Sequence, residues 1–317
     1  MPGTAVIVPF FQRSPGLLRS AVQSALAQQD AGPVTVIVCD DASPIPAETE
    51  LAALDPALRR QVIVLHQPNS GAGAARNRAL DAVPDDTTWI AFLDSDDRWR
   101  PTHLARAIAA LQADHDLLFA DARRDHEAQS HFQRAGFEPR NHTPITQMEG
   151  LYAFAGDFLT ENIKMSPVSI STVVMRASTL GRQRFQPIAV EDLMFWFEIA
   201  RQRPRVAFDA TLQVDYGVGG ITVTGSWTSP AELRMCLMYQ KIFKRVAQDF
   251  PLTAQQAALL GDRMARNRRL FAAVMLGQLR RGQIPAWRFV RQFLSIDAKL
   301  PIAVMAAMAN KVQTAIR

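Results

Sequence analysis

Four short stretches of the chain carry side chains able to do chemistry: Asp40-Asp41-Ala42-Ser43, Asn69-Ser70-Gly71-Ala72-Gly73-Ala74-Ala75-Arg76-Asn77, Asp94-Ser95-Asp96-Asp97 and Glu191-Asp192. Gathered carboxylates repel one another and raise each other's pKa unless a cation holds them, and hard oxygen donors of this kind suit Mn2+ or Mg2+. Asp94 and Asp96 stand two residues apart after the apolar run Trp89–Leu93, so in extended backbone both face one way while Ser95 turns aside. The glycine-bearing loop opens a helical pattern. Free N–H groups at a helix start attract phosphates, and Arg76 adds a positive charge one turn in. The loop is not a dinucleotide-binding fingerprint, because Arg76 stands where the third glycine belongs and the loop follows the third strand rather than the first. Glu191-Asp192 also opens a helical pattern, where the dipole and free amides keep a carboxylate ionised and able to accept a proton. The competing reading of that pair is an N-terminal helix cap.

The elements that must position these groups read as strands alternating with crossover helices, the signature of a mainly parallel sheet. Ala5–Pro9, Val34–Cys39, Gln61–Leu65, Trp89–Leu93 and Leu117–Ala120 are short, apolar and rich in β-branched residues, as buried strands are. Ser14 is placed to cap a helix with Pro15 at its first position, and Leu17, Leu18, Ala21, Val22, Ala25 and Leu26 form its apolar stripe. Arg123 to Thr160 has no firm periodicity and reads as irregular. Ser169–Met175 reads as a strand, Asp192–Arg201 as a helix, and Val206–Phe208 and Leu212–Tyr216 as two short strands. From Ala231 the pattern is wholly helical, punctuated by Pro251, Pro285 and Pro301 and more weakly by Gly277 and Gly282. In open sheets of this type ligands bind beyond the carboxyl ends of the strands, and both aspartate clusters end a strand.

With 317 residues, 48% hydrophobic and 21% charged, the composition is that of a globular protein able to bury a sizeable core. Cys39 and Cys236 lack disulfide-framework or zinc-ligand spacing, which points to a reducing compartment. Met1 leads almost directly into an apolar strand, so no signal peptide is expected, and Pro301–Ala309 is too short to span a bilayer. The net charge of +5 hides a split: residues 1–225 hold 20 Lys+Arg against 26 Asp+Glu, a net of −6, and residues 226–317 hold 15 against 4, a net of +11. We therefore read residues 226–317 as a separate, basic helical region, distinct from residues 1–121 and 122–225.

The stretch from Val6 to Trp99, with Glu191-Asp192, resembles family 2 glycosyltransferases of the GT-A fold. The matching pieces are Ile7-Val8-Pro9-Phe10-Phe11-Gln12, Cys39-Asp40-Asp41-Ala42-Ser43, the Asn69–Asn77 loop ending Ala-Arg-Asn, Phe92-Leu93-Asp94-Ser95-Asp96-Asp97 and Val190-Glu191-Asp192. Pro9-Phe10-Phe11-Gln12, Asp41-Ala42-Ser43-Pro44 and Gln67-Pro68-Asn69 look most like bacterial glucosyltransferases that extend the lipid-linked repeat of succinoglycan and similar exopolysaccharides. The resemblance implies an α/β nucleotide-diphospho-sugar transferase fold with a C-terminal helical extension, and inverting, metal-dependent transfer from a UDP-sugar, expected to be UDP-glucose. It implies that Phe11 stacks beside the uracil, that Asp41 accepts its ring N–H, and that the Pro9 main chain lies alongside. Asn69, Gly71 and Arg76 would border the nucleotide or its phosphates, and Asp94, with Ser95, would reach the ribose. Asp96 would bind the Mn2+ or Mg2+, with Asp94 and Asp97 supporting that site, and Asp192, beside Glu191, would be the general base. A lipid-linked oligosaccharide is the implied acceptor, with residues 1–121 as the nucleotide-sugar-binding half and 122–225 as the acceptor-binding half that carries the catalytic base. The cytoplasm is the location expected from the cysteines and the N-terminus, with the cytoplasmic face of the inner membrane as an option for the basic tail.

The chain departs from the family pattern at Phe11 and Gln12, where Tyr and Asn are more usual, and at Asp215-Tyr216-Gly217-Val218-Gly219-Gly220, where many members carry Arg and then His. Gly217 and Gly219 offer no side chain to a metal or diphosphate, leaving Thr222 or Thr224 to substitute in part. In the basic tail, Arg280-Arg281, Arg288 and Arg291 accompany Trp287, Phe289, Val290, Phe293 and Leu294, and Ile302, Met305, Ala309, Val312 and Ile316 recur at helical spacing. These stripes suit packing on the rest of the chain or on a second subunit, or attachment to an anionic membrane surface. No nucleic-acid partner is expected, since the tail lacks a reading motif and the site-bearing part is acidic. Two rival readings are an inactive nucleotide-sugar-binding module, favoured by Gly217 and Gly219, and a haloacid-dehalogenase-type phosphatase with Asp94 as nucleophile. Arg98 stands where the phosphatase motif wants Thr or Val.

Overall fold

The computed structural model describes residues 3–124, 127–145, 148–217 and 230–315, with residues 230 and 310–315 by backbone alone. Ten strands form one mixed sheet: β1 (Gly3–Phe10), β2 (Val34–Asp40), β3 (Val62–His66), β4 (Thr87–Phe92), β5 (Arg98–Trp99), β6 (Leu117–Arg124), β7 (Thr143–Pro144), β8 (Leu151–Ala153), β9 (Val173–Arg176) and β10 (Val206–Tyr216). Their order is β3-β2-β1-β4-β9-β6-β10-β8-β7, with β5 paired to β10. β3, β2, β1 and β4 are mutually parallel. β9 is antiparallel to both neighbours, β4 and β6, so β6 and its parallel partner β10 point the same way as the first four strands. The carboxyl ends of β1, β2, β4 and β10 therefore deliver Phe11, Asp41, the Asp94–Asp97 turn and Gly217 to one edge of the sheet.

The first four expected strands and the Leu17–Leu26 helix form as the patterns predict, with Leu18, Ala21, Val22 and Ala25 buried against the sheet. The expected cap does not form. The helix begins after Gly16, held at φ 92°, and the Gly16 N–H donates to both oxygens of the buried Glu50 carboxylate at 2.9 and 2.7 Å. A tertiary acceptor thus replaces Ser14. Ser169–Met175 is not all strand, since Ile170–Thr172 is a turn of 3-10 helix before β9. The two short strands expected after residue 206 are one strand, β10, broken in register between Asp209 and Val214. There the fully buried Asp209 carboxylate accepts from Arg106 at 2.5 and 3.0 Å and from the Thr211 N–H and hydroxyl at 2.9 and 2.7 Å. The bulge hides the continuity from a period-2 reading. The stretch read as irregular holds β7, β8 and the helices His131–Ala135 and Phe158–Lys164, the first opened by a capping box between Ser130 and Gln133.

The chain divides into two compact units, residues 1–220 and 221–317. The second consists of helices Pro230–Asp249, Ala254–Arg280, Trp287–Ile296 and Leu300–Ala315 around Leu233, Leu237, Phe271, Met275, Val290, Phe293 and Leu300. Gly277 lies inside the Ala254–Arg280 helix and does not interrupt it, because a lone glycine costs a helix only about 1 kcal/mol against alanine. Among the described residues no single helix is long and apolar enough to cross a membrane. Val218, Gly219, Gly220, Thr222 and Thr224, and the side chains of Val312 and Ile316, lie outside the described residues.

Candidate active site

The edge where those strands end holds a cleft lined by Pro9, Phe10, Phe11, Asp41, Ala72, Ala75, Arg76, Asp94, Ser95 and Asp96. Phe10 belongs to the core at 1% exposure, whereas Phe11 is 37% exposed at the rim, with the Arg13 guanidinium over its ring 5.1 Å from the ring centre. The adjacent aspartates of β2 do different work. Buried Asp40 accepts from the Ser43 and Ala47 N–H groups at 2.7 and 2.9 Å and caps the turn and short helix that follow. Buried Asp41 reaches across to the glycine loop, where Oδ1 accepts from Gln67 Nε2 and the Ser70 N–H, both at 2.7 Å, and Oδ2 accepts from the Gly71 N–H at 2.8 Å. A carboxylate offers about four acceptor positions, so three donors leave one for a ligand N–H at the cleft wall. Asn69 and Gly71 support Asp41 rather than line the cleft: Asn69 Nδ2 donates to the Asp41 carbonyl at 3.1 Å, and Gly71 adopts φ 90°, ψ 163°, a conformation suited to glycine.

The Asp94–Asp97 turn is tied on three sides. Gln12 Nε2 donates to Ser95 Oγ at 2.9 Å, while the Gln12 N–H donates to Ser43 Oγ at 3.0 Å, so the residue that replaces the usual Asn couples the ends of β1, β2 and β4. Asp94 and Asp96 are part-exposed, and Asp97 is turned inward at 6% exposure. The Asp97 carboxylate accepts from the Ser171 hydroxyl at 2.5 Å and from the Gly217 N–H at 2.9 Å. Burial, followed by the charges of Asp94 and Asp96, pushes Asp97 up to about 8 against the pull of those two hydrogen bonds. A Cβ on Gly217 would fall on the Asp96 carbonyl, so the position that departs from the family pattern is one where the backbone itself closes on the turn.

Arg76, 4% exposed, joins the two halves of the site. Its Nη2 donates to Asp94 Oδ1 at 2.6 Å and its Nη1 to Glu191 Oε1 at 2.8 Å. Burial opposes its charge, but the two carboxylates outweigh burial and hold its pKa above the ordinary value. Its guanidinium also sits 5.2 Å from the Phe185 ring centre. Next to it, Asn77 donates to the Phe185 carbonyl and accepts from the Phe185 N–H, both at 2.8 Å. Phe185 stacks on Phe195 at 4.0 Å. The loop leading to Glu191 is thereby pinned to the glycine-loop helix, and Gly73 is needed there because a Cβ would stand 2.8 Å from Glu191 Cγ. Val190 enters the next helix at φ 60°, ψ 43°, a left-handed conformation unfavourable for a β-branched side chain and costing of order 1–3 kcal/mol. Both acidic residues then sit in the first turn of helix Glu191–Arg201. Asp192 accepts from its neighbour's N–H, Leu193, at 2.8 Å, and burial, with the Glu191 charge added, raises its carboxyl to about 6. That value suits a general base near neutral pH.

For a divalent cation the cleft offers an all-oxygen set at Asp94 and Asp96, whose crowding with Asp97 is the kind of repulsion that a cation relieves. Arg76 offsets part of the Asp94 charge, and Asp94 and Asp96 are the two carboxylates of the turn that line the cleft. Among the described residues, the group of three whose ligand atoms come within 4.8 Å of one another is Asp40, Glu48 and His66, none of which lines the cleft. There Asp40 is engaged by main-chain donors and His66 Nε2 lies 2.8 Å from Glu48 Oε1. Asn77 stands in the glycine-bearing stretch, but its pairing with Phe185 and that of Ser171 with Asp97 join residues 108 and 74 apart along the chain and leave no local signature.

Residues 5–168 match the model of Glycosyl transferase family 2. The chain is 33% identical over 218 residues to the succinoglycan biosynthesis protein ExoW of Rhizobium meliloti, covering 65% of this chain and 66% of that protein. It is 38% identical over 113 residues to ExoO of the same organism, covering 36% of this chain and 31% of the relative. The match thus spans just under two thirds of the first relative and about a third of the second. Among solved structures, S. aureus TarS 1-349 in complex with UDP-GlcNAc superposes with a TM-score of 0.59 at 15% identity, over 96% of this chain and 82% of that one. The mannosyltransferase PcManGT from Pyrobaculum calidifontis, in complex with GDP-Man and Mn2+, does so with a TM-score of 0.56 at 15% identity, over 97% and 87%.

Proposed function

The chain belongs to glycosyl transferase family 2, and from that premise we propose that it is an inverting, divalent-metal-dependent hexosyltransferase. In this reading it moves glucose from UDP-glucose to a hydroxyl of a lipid-linked oligosaccharide in bacterial exopolysaccharide synthesis, forming a β-linkage. The observation that carries the proposal is the Arg76 bridge. It joins Asp94, in the wall of the cleft, to Glu191, beside a carboxylate whose raised pKa fits it to take a proton. The succinoglycan names of ExoW and ExoO support the exopolysaccharide part.

Phe11 offers its ring to the uracil, and Asp41 offers its remaining acceptor position to the ring N–H. Asp96, with Asp94, would hold Mn2+ or Mg2+, which when bound offsets the charge that builds on the departing diphosphate. The acceptor hydroxyl attacks the anomeric carbon from the side opposite the leaving group. Asp192 takes the hydroxyl proton, the new C–O bond forms, and the bond to the diphosphate breaks with its electron pair leaving on UDP. One such displacement turns an α-linked donor into a β-linked product. The test is transfer from UDP-glucose to a lipid-linked oligosaccharide, with the anomeric configuration of the product read by NMR. A β product made by native protein and lost in Asp192→Asn supports the proposal; an α product contradicts inversion.

The reading includes peripheral attachment to the cytoplasmic face of the inner membrane, through the second unit. Trp287, Leu294, Ile302, Met305 and Met308 are exposed in that unit, as are Arg280, Arg281, Arg288 and Arg291. Basic residues near an anionic leaflet contribute roughly 1 kcal/mol each.

A further inference from the structure

The Asp94–Asp97 turn is held from behind by a residue of another segment. Ser171, fully buried, sits in the 3-10 turn before β9. Strand β9 pairs with β4 in the register Trp89↔Arg176, Ile90↔Met175 and Ala91↔Val174, so the turn that leads into β9 meets the chain as it leaves β4 at Asp94. A hydroxyl has one proton to give and two lone pairs to offer. Ser171 gives its proton to Asp97 Oδ2 at 2.5 Å and accepts from the Asp94 N–H at 3.0 Å. Its carbonyl accepts from Trp99 Nε1 at 2.7 Å. Three points of the 94–99 segment therefore converge on one side chain and its main chain. Asp97 passes the restraint on, since its other oxygen accepts from the Gly217 N–H at 2.9 Å and its own N–H donates to the Asp94 carbonyl at 3.0 Å.

We propose that Ser171 is a positioning residue for the metal and diphosphate end of the cleft, setting the relative placement of Asp94 and Asp96 through Asp97 and the Asp94 main chain. The inference rests on the cleft being the metal-assisted nucleotide-sugar site described above. Removing the hydroxyl leaves the part-buried Asp94 N–H and a buried Asp97 carboxylate oxygen without this partner, and the turn must rearrange to satisfy them. The two cleft carboxylates lose their mutual placement in that rearrangement. Metal affinity depends on ligand positions to a few tenths of an ångström, and groups that orient the ligands are typically worth about 10- to 100-fold in that affinity.

The test measures UDP binding by isothermal titration across a range of Mn2+ concentrations for native protein, Ser171→Ala and Ser171→Cys, with melting temperatures in parallel. The Mn2+ needed for half-maximal UDP binding should rise about 10- to 100-fold in Ser171→Ala. It should rise less in Ser171→Cys, which keeps a weak donor, and UDP affinity should return to native at saturating Mn2+. A role confined to folding would lower the melting temperature and leave the Mn2+ dependence unmoved. Ser171→Ala with native Mn2+ dependence overturns the inference and leaves the donor-site reading standing. Native protein that binds no UDP at any Mn2+ concentration overturns both. Should Ser171→Ala not fold, Ser171→Cys decides alone, and an unshifted Mn2+ dependence there overturns the inference.

Discussion

At Asp192, burial that raises the carboxyl from an ordinary 3.8 to about 6 acts on rate and on stability in opposite directions. A base must be deprotonated, so kcat/KM should climb with pH through about 6 and level above it. A profile that stays flat down to pH 5 would remove Asp192 from that role. For stability, the folded state binds this proton more tightly than the unfolded state. The stabilisation is therefore complete below about pH 4 and is lost as pH rises through about 6. Asp192→Asn should accordingly lower kcat by about 10²- to 10⁴-fold. It should also raise the melting temperature by a few degrees at pH 8, about 1–2 kcal/mol, with no gain at pH 3.5. Gly217 makes a steric prediction instead: Gly217→Ala places a methyl on the Asp96 carbonyl and should cost about 1–3 kcal/mol in urea denaturation.

Between elements, the Arg76 bridge ties the glycine-loop helix to the end of β4 and to the helix that begins at Glu191. Arg76→Ala leaves the Asp94 and Glu191 carboxylates facing each other without their cation, and should destabilise by about 3 kcal/mol. Glu191→Gln should cost less, because Arg76 keeps Asp94. Equal denaturation midpoints for native protein and Arg76→Ala would contradict this. The same elements mark how far the sequence could be read. The early strands and the Leu17–Leu26 helix announce themselves through runs and stripes of apolar residues, and the carboxylates were visible because they end such runs. Local pattern alone does not separate Asp40 from Asp41, which differ only in the donors that the folded chain brings to them; the family resemblance is what points to Asp41, the one of the two that lines the cleft. The insertion of β9 between β4 and β6, which makes Ser171 a neighbour of Asp94, is a matter of strand order, on which local periodicity is silent. Ser130 and Gln133 did carry a local signature, but a five-residue helix has no stripe to draw notice to it.

Over the whole molecule, the charge split of −6 for residues 1–225 and +11 for residues 226–317 predicts that any membrane attachment runs through the second unit. Full-length protein should sediment with vesicles containing anionic lipid at low salt, lose that binding as salt screens the arginines, and ignore neutral vesicles. Failure to bind anionic vesicles at low salt would contradict peripheral attachment and leave the catalytic account untouched. That account depends on the cleft at the ends of β1, β2 and β4. Its most direct test is isothermal titration of UDP-glucose, and of UDP, with and without Mn2+, on native protein and on Asp96→Ala. Metal-dependent binding that Asp96→Ala abolishes is the predicted result. UDP binding with metal but no UDP-glucose binding would move the donor to another UDP-sugar, and no UDP binding under any condition would contradict the central claim.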